Sequence, residues 1–185
     1  MFLILGLGNP GPRYELTRHN AGFLVLDNLA DKYKIKLGQH KYRSLYGKGE
    51  MDGLPVIFAK PMTYMNESGK AVKELLSAFN LSPEQILVIH DDIDLPLGKI
   101  KTKFSGGDGG QLGIRSTLQT LQTREFCRVR VGVGRPEDRE DIVDYVLSPF
   151  SEEESGLLNE VMYTAVQTVE AALNELNKRN KPTED

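Results

Sequence analysis

The sequence is poor in the residue types that most readily declare a chemistry. It holds one cysteine and three histidines in 185 residues. No disulfide can therefore form within the chain, and no C-x-x-C or H-x-x-x-H spacing exists to hold a metal. Cys127 lies in the apolar run from Phe126 to Val133, which predicts a small buried core residue and suits a reducing, cytoplasmic compartment. Long apolar runs are missing too. The opening run, Met1 to Leu7, is far too short for a membrane span and carries neither a charged leader nor a small-residue cleavage site, so secretion and anchoring are not expected. No G-x-S-x-G elbow offers a serine nucleophile. Repeats, low-complexity segments and Pro/Ser-rich linkers are also absent.

Excess charge of one sign is scarce as well, with a formal net charge of −3, and that average gives a polyanion nothing to bind. The average conceals an asymmetry. Residues 95–136 carry eight lysines and arginines against two acids, whereas 151–185 carry three against eight, so an acidic C-terminal stretch masks a basic middle.

What is present is 39% hydrophobic residues, enough for one domain over 1–185 that buries roughly 70% of its unfolded surface; residues from about 178 to 185 read as a tail without fixed structure. Strand-like and helix-like periods alternate throughout, predicting an α/β fold with a twisted mixed sheet flanked by helices. Met1–Leu7 reads as a buried strand and 21–33 as a helix through Phe23, Leu26, Leu29 and Ala30. Residues 42–48 and 54–59 flank Asp52-Gly53, a strong signal for an antiparallel hairpin. A helix follows over about 68–79, with Ser68 as its cap, and a buried strand over 86–89. Residues 99–104 and 128–132 alternate as strands. The glycine-rich 105–113 reads as a loop, 114–121 as a short helix, and Ser151 to Glu154 as a capping box opening a long amphipathic helix.

Gly6, Gly8 and Gly11 spell G-x-G-x-x-G after the first strand, the dinucleotide fingerprint. Pro10 and Pro12 bracket the third glycine and favour an extended loop, and the acids downstream, Asp27 and Asp31, fall within the helix pattern, so no cofactor is expected. The same loop holds Asn9, Tyr14, Thr17, Arg18, His19 and Asn20 between a strand end and a helix, where α/β sheets place their sites. His90-Asp91-Asp92 follows the strand at 86–89, so an aspartate can meet His19 at the sheet edge and make a base near neutral pH. His40, among basic neighbours, reads as a surface residue. A base without a nucleophile or a metal points to activated water.

These motifs, G-L-G-N-P-G at 6–11, Tyr14, T-R-H-N at 17–20, K-P-M-T-Y-M-N at 60–66, H-D-D-I-D-L-P-L-G at 90–98, F-x-R-V-R-V-G-V-G-R-P at 126–136 and Y-V-L at 145–147, resemble bacterial peptidyl-tRNA hydrolase over nearly the whole chain. The resemblance implies hydrolysis of the ester joining a peptide to the 3′-terminal ribose of tRNA, with His19 as general base, Asp91 as its partner, and Asn9 and Asn66 as the amides that contact substrate. It further implies that Tyr14, Tyr64 and Met65 line the cleft, with Met62 and Met65 also candidates for core packing, and that Lys101, Lys103, Arg130 and Arg139 clamp tRNA phosphates. A monomer without an obligate protein partner, membrane or metal is expected. One motif departs: where the family reads G-G-H-N-G, residues 109–113 read G-G-Q-L-G. Leu112 cannot supply the asparagine's hydrogen bond, leaving Gln111 or the loop backbone to do so, and Glu67 adds a charge beside Asn66. Some members of the family bind RNA without cleaving it, the alternative this departure keeps open; whether the C-terminal helix acts as a lid is also open.

Overall fold

A computed structural model describes residues 1–138 and 141–182. Seven strands form one sheet in the order β2-β3-β4-β1-β5-β7-β6. β1 (Phe2–Gly6) lies at its middle, parallel to β4 (Leu54–Pro61) and to β5 (Ile86–Asp92), which in turn is parallel to β7 (Cys127–Gly132). The edges are antiparallel: β3 (Ser44–Met51) against β4 with β2 (Gln39–Lys41) outside it, and β6 (Ile100–Lys103) against β7. This is the mixed sheet expected, and the hairpin turns at Asp52 and Gly53, both at positive φ of 51° and 79°, as a two-residue connection requires.

The central strands are apolar at successive positions because both faces are covered. Phe2 and Ile4 pack with α1 (Ala21–Tyr33) and α5 (Glu152–Arg179), whereas Leu3 and Leu5 pack with α2 (Ser68–Phe79) and α3 (Leu112–Leu121). Cys127 belongs to the first of these layers, fully buried, and burial pushes its thiol up to about 12. The observed α1 and α2 match the expected helices, and Ser151 and Glu154 form the expected capping box.

Several local expectations change. β5 continues through His90, Asp91 and Asp92, because backbone pairing to Arg130, Val131 and Gly132 carries on past the last apolar residue. α3 begins at Leu112 rather than Ile114, since the Gln111 side chain accepts from the Ile114 N–H and caps the helix. Ser68 is not a cap: it is the first residue of α2, and its hydroxyl donates back to the Met65 carbonyl. α5 runs through Arg179, and the Asn180 amide donates to the Glu84 carbonyl. Residues 178 and 179 thus belong to this helix, and 183–185 of the expected tail lie outside the described residues. A short helix, α4 (Ile142–Val146), and the exposed edge strand β2, which contains His40, are additional to the expected elements.

Candidate active site

From β1 the chain order in the sheet runs outward both ways, so the C-terminal ends of β1 and β5 open a crevice of the kind that receives ligands in α/β sheets. The glycines after β1 serve close packing there. A Cβ on Gly6 would lie 2.4 Å from the Gly22 carbonyl oxygen, and one on Gly22 would lie 2.3 Å from that of Ile89. These two positions let the start of α1 press against the strand ends. A single 3-10 turn, Arg18–Asn20, precedes α1 and is buried throughout, so His19 arrives at the tip of β5.

His19 Nδ1 and Asp91 Oδ2 are 2.8 Å apart, with the two residues only 8% and 2% exposed. An ionised carboxylate can only accept, which assigns the proton to Nδ1 and leaves the Nε2 lone pair for chemistry. Burial alone would push the imidazole down. The charge and hydrogen bond of Asp91 more than offset it, so His19 ends above its ordinary value of 6.5. Asn20 holds the neighbouring loop: its Oδ1 accepts from the Asn9 N–H at 2.8 Å and its Nδ2 donates to the Asn9 carbonyl at 3.0 Å.

The Asn9 side chain is itself oriented, because its Oδ1 accepts from the Met65 N–H at 2.8 Å. Its Nδ2 therefore remains a donor without a partner among the described residues. Asn66 is exposed. Asn9, His19, Asn66 and Asp91 line one cleft of about 340 Å³, together with Tyr64 and Met65. Its other side is apolar, formed by Ile93, Leu112 and, from α4, Ile142, Val143 and Val146.

A sequence model of the peptidyl-tRNA hydrolase family matches residues 3–184. The chain belongs to this family. It is 46% identical over 173 residues to a peptidyl-tRNA hydrolase of Bacillus subtilis strain 168, covering 94% of this chain and 92% of that one. It is 47% identical over 171 residues to one of Aquifex aeolicus strain VF5, covering 92% and 89%. A crystal structure of peptidyl-tRNA hydrolase from Acinetobacter baumannii superimposes with a TM-score of 0.84 at 38% identity, covering 96% of this chain and 94% of that one.

At residues 111 and 112, where the resemblance implies a histidine and an asparagine, the two side chains behave differently. Gln111 is buried, and its amide is used within the protein: Oε1 accepts from the Ile114 N–H at 2.8 Å, and Nε2 donates to Asp91 Oδ1 at 3.0 Å and lies 3.2 Å from Met65 Sδ. It is not free to replace the asparagine contact. Leu112 is 43% exposed and stands on the cleft wall, so it does not pack beneath the loop. Glu67 pairs with Lys70 rather than with Asn66. Tyr14 is half-buried, with Arg13 over its ring, and is not among the residues lining the cleft. Met65 is both core and cleft lining, whereas Met62 is 39% exposed and borders a separate hollow on the other side of Asn9.

The basic residues fall on the β6–β7 edge. Lys101 is paired with Arg130 and Lys103 with Arg128, and because opposed residues share a face, all four lie opposite Val129 and Val131, which enter the core with α5. Arg130 Nε donates to Asp92 Oδ2 at 2.7 Å, one residue along β5 from Asp91. Arg128 is fully buried and donates to the carbonyls of Gly106 and Gly107, tying the glycine loop to the sheet. Arg139 lies outside the described residues.

One contact joins parts of the chain that sequence reasoning keeps apart. Arg18, beside His19, donates to Glu154 Oε2 at 2.6 Å and to the Tyr145 carbonyl at 3.2 Å, and its guanidinium lies 4.1 Å from the centre of the Tyr145 ring. Glu154 also accepts from the Ser151 N–H in the cap of α5. The α4 wall is thus fastened to the turn that carries the imidazole. No short-range sequence signal marks such a pair.

Proposed function

We propose that this protein frees tRNA from peptidyl-tRNA by hydrolysing the ester between the peptide's terminal carbonyl and the 3′-terminal ribose, with water activated by His19. The observation that carries the reading is the His19–Asp91 pair, buried at the floor of a cleft with Nε2 left as an acceptor. Nε2 takes a proton from water as the oxygen attacks the carbonyl carbon. Asp91 stabilises the imidazolium that forms. As the tetrahedral intermediate collapses, the C–O bond to the ribose breaks, and the imidazolium returns its proton to the departing ribose oxygen. The products are a tRNA hydroxyl and a peptide carboxylic acid, which gives up water's second proton to solvent and leaves as the carboxylate.

Asn9 Nδ2 is the donor suited to the developing oxyanion, since its amide is already turned by the Met65 N–H and adds no fixed charge. Asn66, exposed on the cleft rim, is suited to the peptide's amide groups. The apolar wall of Leu112, Val143 and Ile142 suits aliphatic portions of the peptide, and the Tyr64 ring, 62% exposed, a base of the unpaired 3′ end. Lys101, Lys103 and Arg130 are suited to acceptor-stem phosphates, with Arg139 a further candidate by family resemblance. A monomer is the state the family resemblance implies, and the single buried cysteine fits the cytoplasm.

The test is release of the blocked amino acid from N-acetyl-aminoacyl-tRNA, run beside unblocked aminoacyl-tRNA. Cleavage of the blocked ester is the expected result. Binding of tRNA without cleavage would return the protein to the RNA-binding alternative.

A further inference from the structure

The oxygen of Asp91 that does not face His19 is occupied by the Gln111 amide, 3.0 Å away. We propose that Gln111 is a positioning residue for the catalytic pair: its carboxamide holds Asp91 through Oδ1 and tempers the pull of that carboxylate on the His19 imidazole, without titrating itself. The inference rests on the general-base reading of His19 given above.

Three observations carry it. The amide of Gln111 has no freedom to flip, because Oε1 must accept from the Ile114 N–H, which directs Nε2 toward Asp91 at 3.0 Å. The two oxygens of one carboxylate are thereby divided between an amide and an imidazole. Finally, glutamine is an unusual helix cap. Serine, threonine, aspartate and asparagine cap best because they are short, and a cap of that length would leave Asp91 without its second donor. The longer side chain both starts α3 and reaches the catalytic carboxylate.

The sign of the effect follows from charge. A donor on Oδ1 draws negative charge toward itself, so less of it acts on the imidazolium at Oδ2. Removing the donor strengthens that attraction and makes His19 more basic. Other ionisable groups surround the pair: His90 and Asp92 on β5, Arg128 and Arg130 on β7, Arg18 beside His19 with Glu154 of α5, Tyr145 on α4, and Asp108 with Arg115 at α3. Asp92 is occupied by Arg130, Glu154 by Arg18 and Asp108 by Arg115, and the charge acting on His19 is that of Asp91. Gln111 therefore sits on the group whose charge and hydrogen bond raise the imidazole against its burial.

The experiment is an NMR titration of the His19 ring in the wild type, Gln111→Met and Gln111→Glu, with His19→Ala used to assign the signal. Met removes the donor and keeps the length of the side chain. Glu keeps an oxygen to accept from Ile114 and so preserves the cap. Both should titrate at higher pH than the wild type, by roughly half a unit or more, and the acid limb of kcat/KM should move with them while KM holds. A His19 midpoint unchanged in both folded variants would overturn the proposal, even if their rates fell. Should Gln111→Met unfold, Gln111→Leu, which also removes the donor without adding charge, decides the matter. The general-base reading stands or falls separately, on the rate of His19→Ala.

Discussion

The floor and the wall of the cleft are built on opposite plans. The floor is polar, buried and oriented from within, with only Asn9 Nδ2 and His19 Nε2 left open among the described residues: Asn20 fixes Asn9, Met65 turns the Asn9 amide, Asp91 holds His19, and Gln111 holds Asp91. The wall is apolar and partly exposed, with Val143 at 65% and Leu112 at 43% but Val146 buried, and none of its apolar side chains can make a hydrogen bond. Reacting groups need fixed geometry, because misplacement by a fraction of an ångström lowers the rate steeply. A surface that meets peptides of many sequences needs the reverse. On the proposed mechanism, turnover would belong to the floor and tolerance to the wall.

The sharpest way to break that division is His19→Ala, which should lower kcat by roughly a hundredfold or more while tRNA binding and thermal unfolding stay near wild type. Residual activity above about a tenth would remove His19 from proton transfer. Asp91→Asn comes next. It should reduce the rate less and carry the acid limb of the pH–rate profile downward. The wild-type limb belongs above 6.5, because Asp91 raises His19; without the carboxylate, burial alone pulls the imidazole down. A profile that does not move would separate Asp91 from the mechanism.

Outside both floor and wall, charge reversal at Lys103 or Arg130 should weaken binding of full-length tRNA and leave cleavage of a short 3′-terminal fragment nearly unchanged. Removing one phosphate interaction should flatten the slope of log affinity against log salt by roughly 0.7 to 0.9. An unaltered slope in both variants would move the clamp elsewhere. The smallest effect belongs to the wall. Leu112→Asn, at an exposed helix start, should leave stability within about 0.5 kcal/mol. A new hydrogen bond there is worth up to about 1.5 kcal/mol, or a roughly tenfold gain in kcat/KM. Slower cleavage with earlier unfolding would show that Leu112 supports the loop.

Much of the fold is legible in the sequence, and the reasons for success and failure are physical. α1 and α2 announce themselves through apolar spacing, and the Asp52-Gly53 turn through its need for positive φ. The apolar run of β5 stops three residues before the strand does: His90, Asp91 and Asp92 look like a turn, yet a ladder is made by backbone and is indifferent to side-chain polarity. α3 starts two residues ahead of its apolar pattern because its cap is a glutamine and its second residue a glycine. β2 and α4 are too short for a period to show. In the site, His19 and Asp91 are legible as neighbours because the loop after β1 and the end of β5 open at the same edge of an α/β sheet. Gln111 reads as a substrate contact, since its internal use depends on a side-chain reach that spacing does not encode. The Arg18–Glu154 pair, 136 residues apart, has no local signal at all.

That last pair bears on how the protein comes into being. The turn that presents His19 is completed only by residues near the far end of the chain: Arg18 needs Tyr145 and Glu154, and Thr17 bridges to Pro149. During synthesis the N-terminal strand and α1 leave the ribosome long before α5 does. A nascent chain is itself a peptide esterified to tRNA, the very bond this protein cuts. A copy unfinished before α5 has the Asp91 partner of His19 but lacks the Arg18–Glu154 contact, so the turn that carries His19 is fastened on that side only after Glu154 has been made.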